Sequence, residues 1–241
     1  EIKKVVSISR ASQGEEANDD EKLINRQLLE VANRQKSKTN IIFAIDATSS
    51  MNYYKNEVAQ TIDGIIDDNK NLGVSEIKFG VIEYRDYADG NNIEAPTYRA
   101  HELTTNWVKT KDIIKNIKCK SNIKDKSKSE AVFHGIINGL NDLNINKSES
   151  NILVLVGDCG NLRPDPKKYT IDDVVKVFDN YSINLLSLQV AHKNTRKGEY
   201  DDFNDDIIQI ISKTAKKKIE NKEIKLIVKL KPLESENAWD L

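Results

Sequence analysis

With 241 residues the chain can bury one substantial core, and a single α/β domain with additions is the expected organisation. Lys and Arg (37) nearly balance Asp and Glu (38), and a net charge of −1 excludes a general electrostatic footprint for nucleic acid. No apolar run approaches the roughly 20 residues that a membrane-spanning helix needs.

The chain opens at Glu1-Ile2-Lys3-Lys4, with neither an initiating Met nor a signal peptide, and is expected to be part of something longer. A short β-like run, Val5-Val6-Ser7-Ile8, precedes a helical pattern from Asp19 to about Gln35, where Leu23, Ile24, Leu28, Leu29 and Val31 recur at helical spacing. These make residues 1–39 an N-terminal extension. The main domain is expected over 40–231, followed by an exit segment at 232–241.

From Asn40 strands and helices alternate. Ile41-Ile42-Phe43-Ala44-Ile45 is a continuous apolar run, as in a strand buried on both faces of a parallel sheet. Tyr53 to Asp68 places Val58, Ile62, Ile65 and Ile66 on one helical face. Ile77 to Tyr84 reads as a strand, and Tyr98 to Leu103 as another, a candidate antiparallel edge. Trp107 to Ile117 and Ser129 to Leu143 read as helices, and Ile152 to Val156 is a second buried strand. Ile171 to Asp179 (helix), Ile183 to Val190 (strand), Phe203 to Lys217 (helix) and Ile224 to Leu230 (strand) complete the series. Such alternation implies a Rossmann-like, doubly wound and mostly parallel sheet with helices on both faces.

Two strands end on an aspartate: Ile41–Ile45 runs into Asp46, and Ile152–Val156 runs through Gly157 into Asp158. Ligands of such sheets bind at the carboxyl edge, where a half-desolvated carboxylate benefits from a cation. Asp46, Thr48 and Ser50 alternate and can turn their oxygens to one centre. With Asp158 they offer a hard oxygen shell suited to Mg²⁺, with Mn²⁺ or Ca²⁺ as alternatives. The competing structural reading is that Asp46, Thr48 and Ser50 only cap the helix that follows.

Ile45-Asp46-Ala47-Thr48-Ser49-Ser50-Met51 resembles the first metal loop of von Willebrand factor A (vWA) domains, and Leu153 to Gly160 is similar to their third. Between them, Gly80 to Tyr87, ending in Tyr84-Arg85-Asp86-Tyr87, resembles a strand of bacterial vWA proteins. The resemblance covers about Asn40 to Leu230. It implies direct metal coordination by Thr48 and Ser50, and coordination by Asp46 and Asp158 either directly or through water. For the second loop it implies Ser127, with Ser129 next in register. The usual Gly-Gly is missing there, and Lys126 and Lys128 flank the position.

The function so implied is a non-enzymatic interaction or adhesion module, in which a partner's Asp or Glu completes the shell of a bound Mg²⁺. An alternative is a scaffold domain of a bacterial envelope or secretion assembly, for example a TssR-like type VI component, with a degenerate metal site. The envelope is favoured over the cytoplasm. A metal-dependent phosphoester hydrolase is the third reading. Against it stand the lack of a Gly-rich phosphate loop and Thr48 at the position where a haloacid-dehalogenase-type phosphatase carries its second Asp.

The remaining features have plainer readings. Arg85-Asp86-Tyr87 is expected to give a strand-end ion pair and a packed Tyr, and His134 to be packed within its helix. His101, His134 and His192 have no metal-ligand spacing. Lys216-Lys217-Lys218 reads as a solvated helix end. Cys119 and Cys159 match no metal spacing and are expected as reduced thiols in or near the core.

Overall fold

The computed structural model describes residues 38–69, 76–89, 95–120, 129–190 and 197–216. Ser127 and its flanking lysines, His192, the N-terminal strand and helix, the Ile224–Leu230 strand and the exit segment lie outside the described residues.

Five strands form one sheet in the order β3-β2-β1-β4-β5: β1 (Thr39–Asp46), β2 (Ile77–Tyr84), β3 (Tyr98–Thr104), β4 (Ser150–Gly157) and β5 (Ile183–Gln189). All neighbours are parallel except β3, which pairs antiparallel with β2 at the sheet's edge, as its sequence suggests. The apolar runs that mark β1 and β4 are buried along their whole length because each has a strand on both sides and helices above and below.

The two-residue alternation of the strands divides the core into two layers. Ile41, Phe43 and Ile45 of β1, with Val154 and Val156 of β4, face α1 (Lys55–Asn69) and α2 (Trp107–Lys115) through Ile62, Ile65, Ile66 and Ile114. Ile42, Ala44, Ile82, Leu153 and Leu155 face the other way. There they meet α3 (Val132–Asp142), α4 (Ile171–Tyr181) and α5 (Lys197–Lys216) through Phe133, Ile136, Leu140, Val174, Phe178, Phe203 and Ile207. Helices on both faces of a mostly parallel sheet make this the doubly wound α/β fold.

Several element ends differ from the sequence reading. The helix expected from Tyr53 starts at Lys55, because a 3₁₀ turn at Ser49–Tyr53 carries the chain out of the Asp46 loop first. The helix expected from Ser129 starts at Val132: Glu130 is instead held in a parallel bridge to Asn161, and the Asn161 side chain accepts the Phe133 N–H at 2.8 Å. Helix α2 stops at Lys115 rather than Ile117. Helix α5 begins six residues before Phe203, in a polar stretch without apolar periodicity.

Two glycines one helical turn apart set how closely α3 lies on β2. A methyl group at Gly139 would come within 2.6 Å of Ile82 Cγ2, and one at Gly135 would collide with the Cβ of Tyr84. The helix backbone therefore rests directly on the strand's side chains.

The chain leaves β1 toward β2 on one side and later returns to place β4 on the other. The crevice between the carboxyl ends of β1 and β4 is thus the point where strand order reverses, the place where such sheets bind ligands.

Candidate metal centre

Asp46 is the last residue of β1, and Asp158 follows Gly157, the last residue of β4. Ile45 and Val156 are register partners, so the two carboxylates emerge from adjacent strands at the same edge. Both are buried, Asp46 completely and Asp158 with 3% exposure. The Asp46 Oδ1 atom accepts two hydrogen bonds from Thr48, one from its backbone N–H at 2.8 Å and one from its hydroxyl at 2.7 Å. The Thr48 and Ser50 hydroxyl oxygens are 3.1 Å apart.

This geometry bears on the helix-cap reading. Thr48 occupies the cap position of the 3₁₀ turn, yet its side chain makes no capping hydrogen bond. Its single hydroxyl proton goes to Asp46, so in the 3.1 Å contact the Ser50 hydroxyl donates to Thr48, and one Thr48 lone pair is left over. The loop is folded around Asp46, not around the helix end.

Among the described residues, Asp46 Oδ2 and Asp158 Oδ1 are buried and accept no hydrogen bond from another group, and the two carboxyls lie within hydrogen-bonding reach of each other. Buried carboxylate oxygens ordinarily find donors or cations, because an unmet charge in a dry site is costly. Burial first, and the adjacent Asp158 charge second, push the Asp46 carboxyl well above the usual carboxylate range, against the lowering effect of Thr48. Two carboxylates and two hydroxyls make a hard oxygen donor set that fits Mg²⁺, Mn²⁺ or Ca²⁺ and suits no soft metal. No group of three or more His, Cys, Asp or Glu is placed to hold a metal among the described residues. Of the five residues proposed from sequence, the structure brings together Asp46, Thr48, Ser50 and Asp158. Ser127 lies outside the described residues.

The loop after β4 is tied on three sides. Asn161 N–H donates to Asp206 of α5 at 2.9 Å, and the Asn161 side chain reaches Phe133 N–H and Asp165. Tyr87 donates its hydroxyl to Asp165 at 2.9 Å. Gly160 has no room for a side chain, since a Cβ there would approach the Asp202 and Phe203 backbone to within 2.9 Å. Cys159 is buried and free. Burial first, then Asp158, raise its thiol pKa far above its ordinary value, so it is not a reactive thiolate. Cys119 is also free, half-buried, and raised to about 11 by burial and by Asp46.

The strand-end ion pair expected around Arg85 is present, and its partner is Glu83. The fully buried Arg85 reaches Glu83 Oε2 at 2.6 Å and the Lys118 carbonyl at 3.1 Å, while His101 Nε2 lies 2.8 Å from Glu83 Oε1. Glu83 and His101 form one wall of an open cleft of about 710 Å³ between β3 and α2. Both Glu83 oxygens are engaged by Arg85 and His101, so the carboxylate is neutralised within the protein. Sequence reasoning missed this triad, although a Glu and an Arg two apart at the end of an apolar strand are a signal that two charges share one face.

Burial tends to raise the Glu83 pKa, but hydrogen bonds from His101 and Arg85 and their charges hold it down to about 2. A depressed carboxyl stabilises the fold above its unfolded value, near 4.5, and loses that contribution as pH falls toward 2. Thermal melts between pH 5 and pH 2 are expected to show the wild type losing on the order of 3 kcal/mol more than Glu83→Gln. Parallel acid profiles of the two proteins would contradict this.

His134 is packed, as expected from its helix: its ring sits 5.3 Å from Tyr87, 5.2 Å from Tyr98 and 5.7 Å from Tyr169. Desolvation and Lys167 lower its pKa.

The fold and the paired loops at its switch point define a vWA-type domain. A pilus adhesin, SpaC of Lactobacillus rhamnosus GG in its open conformation, has a similar solved structure (TM-score 0.50, 12% identity). That match covers 72% of this chain and 26% of the adhesin, so the chain spans about a quarter of the adhesin's length. Proximal thread matrix protein 1 of the mussel byssus also matches (TM-score 0.44, 15% identity, 75% of this chain and 46% of that one). No curated protein matches. Residues 21–241 match the family described as the TssR protein VWA domain, and the chain belongs to that family.

Proposed function

We propose that this chain is a non-enzymatic interaction domain of a type VI secretion-associated assembly, and that it engages a protein partner through a divalent cation. Asp46, Thr48, Ser50 and Asp158 would hold the cation, with Mg²⁺ the expected ion. The observation that carries the reading is the pair of orphaned, buried carboxylate oxygens at the ends of β1 and β4, at the point where strand order reverses. A hard cation held by these residues would satisfy both oxygens and would supply a site for a partner's Asp or Glu. Tyr53, at the end of the 3₁₀ turn that follows the loop, is 71% exposed and offers an aromatic surface to a partner. An envelope location goes with a secretion-associated role. No described helix is long and apolar enough to cross a membrane.

The family match also supports a second reading, a scaffold domain whose metal loops no longer take a cation. Calorimetric titration separates the two. The wild type is expected to bind Mg²⁺ or Mn²⁺ with one-site stoichiometry, and Asp46→Ala to show no heat while keeping its circular dichroism spectrum. If the wild type takes up neither Mg²⁺, Mn²⁺ nor Ca²⁺ at millimolar concentration, the metal bridge is wrong and the scaffold reading stands.

A further inference from the structure

We propose that Tyr84 is a positioning residue that sets the separation of the two candidate metal loops, a role that rests on the metal reading above. Tyr84 is the last residue of β2 and the register partner of Asp46. It is wholly buried and touches both loops by different means. Its carbonyl accepts the Ala47 N–H at 2.9 Å, directly after Asp46. Its hydroxyl donates to the Val156 carbonyl at 3.0 Å, two residues before Asp158. One residue of β2 therefore spans β1 and ties the exit of β1 to the exit of β4.

The surroundings hold this bridge in place. Gly157 leaves the space that the hydroxyl occupies, since a Cβ there would collide with it, and the same Cβ would sit 3.4 Å from that of Asp46. On the other side Gly135 of α3 lies against the Tyr84 Cβ and allows it no retreat. A phenol is the side chain that fits: it is long enough to cross a strand, rigid, and ends in a donor that can meet a backbone carbonyl. Asp46 and Asp158 would have to hold their oxygens in fixed positions to share a hard cation. Groups that orient metal ligands without touching the metal commonly change affinity by roughly 10–100-fold when removed.

The test is a Mn²⁺ titration, followed by electron paramagnetic resonance, on the full chain. Tyr84→Phe keeps the ring and removes only the donor, and it is expected to weaken Mn²⁺ binding by roughly tenfold or more. Ile82→Val serves as the control: it loosens the same strand against α3 but touches neither loop, and it is expected to bind Mn²⁺ as the wild type does. Tyr84→Phe is first shown to keep the wild-type circular dichroism spectrum and melting transition, so that a loss of binding is read on folded protein. Wild-type affinity in Tyr84→Phe, with binding abolished in Asp46→Ala, would overturn the positioning role and leave the metal reading intact. An equal loss in Ile82→Val would also overturn it, by tracing the effect to general loosening. A wild type that binds no Mn²⁺ overturns both.

Discussion

Gly135→Ala is expected to destabilise the domain by about 3 kcal/mol, at the upper end of the range for overpacking a well-filled core. The new methyl group collides with the Cβ of Tyr84, an atom next to the β2 backbone that no rotamer change can move. Helix propensity acts in the opposite direction, since Ala is better than Gly in a helix interior by about 1 kcal/mol, so the steric cost has to exceed that gain. Gly64 of α1 is the internal comparison: a Cβ there meets nothing within 4 Å. Gly64→Ala should raise stability by about 0.5–1 kcal/mol, the usual scale for this substitution at an unstrained site. Denaturant titration of both variants measures the two signs. A stabilised Gly135→Ala would show that α3 can move away from β2.

Asp46→Asn is expected to make the metal-free protein more stable and the metal-loaded protein less stable than the wild type. Without a cation, the wild type holds two desolvated carboxylates side by side. Burial and the neighbouring Asp158 make ionisation of Asp46 costly, and an amide at that position avoids the cost. The amide oxygen can keep the hydrogen bonds that Asp46 Oδ1 accepts from Thr48. The pH dependence has a definite sign. A carboxyl raised in the folded state gives most stability below its unfolded value, near 3.8, and that contribution is lost as pH climbs through the raised value. The Asn variant should lack this decline in EDTA. Saturating Mg²⁺ reverses the order, because a ligand at 100 times its dissociation constant adds about 2.7 kcal/mol, and only to the protein that binds it. Melting curves in EDTA and in Mg²⁺ should therefore cross between the two proteins. A variant less stable than the wild type in EDTA, or equally stabilised by Mg²⁺, would contradict the reading of this pair.

Strands β1 and β4 are legible in the sequence because a strand buried on both faces shows as an unbroken apolar run, and the aspartates that end them are legible for the same reason. The Asp-x-Thr-x-Ser spacing gathers Asp46, Thr48 and Ser50 through local geometry alone, an extended Thr48 followed by a 3₁₀ turn that begins at Ser49. What could not be read depends on contacts between distant segments. The reach of Tyr84 to Val156 joins positions 72 apart, and nothing in the neighbourhood of either residue announces it. Gly135 and Gly139 look like weak points of a helix until β2 is placed beneath them. The start of α3 is misjudged for a similar reason, since Glu130 and the Phe133 N–H answer to Asn161 in the loop after β4.

The reversed direction of β3 has one further consequence. A parallel strand must be re-entered from the far side of the sheet, but the connection from Arg85 to Thr97 both departs from and rejoins the sheet at the edge where Asp46 and Asp158 emerge. That connection carries no crossover, so its length is not tied to the span of a helix. Its described ends are pinned instead to one another, Arg85 N–H donating to the Thr97 carbonyl at 2.8 Å, and to the loop after β4, through the Tyr87 hydroxyl on Asp165.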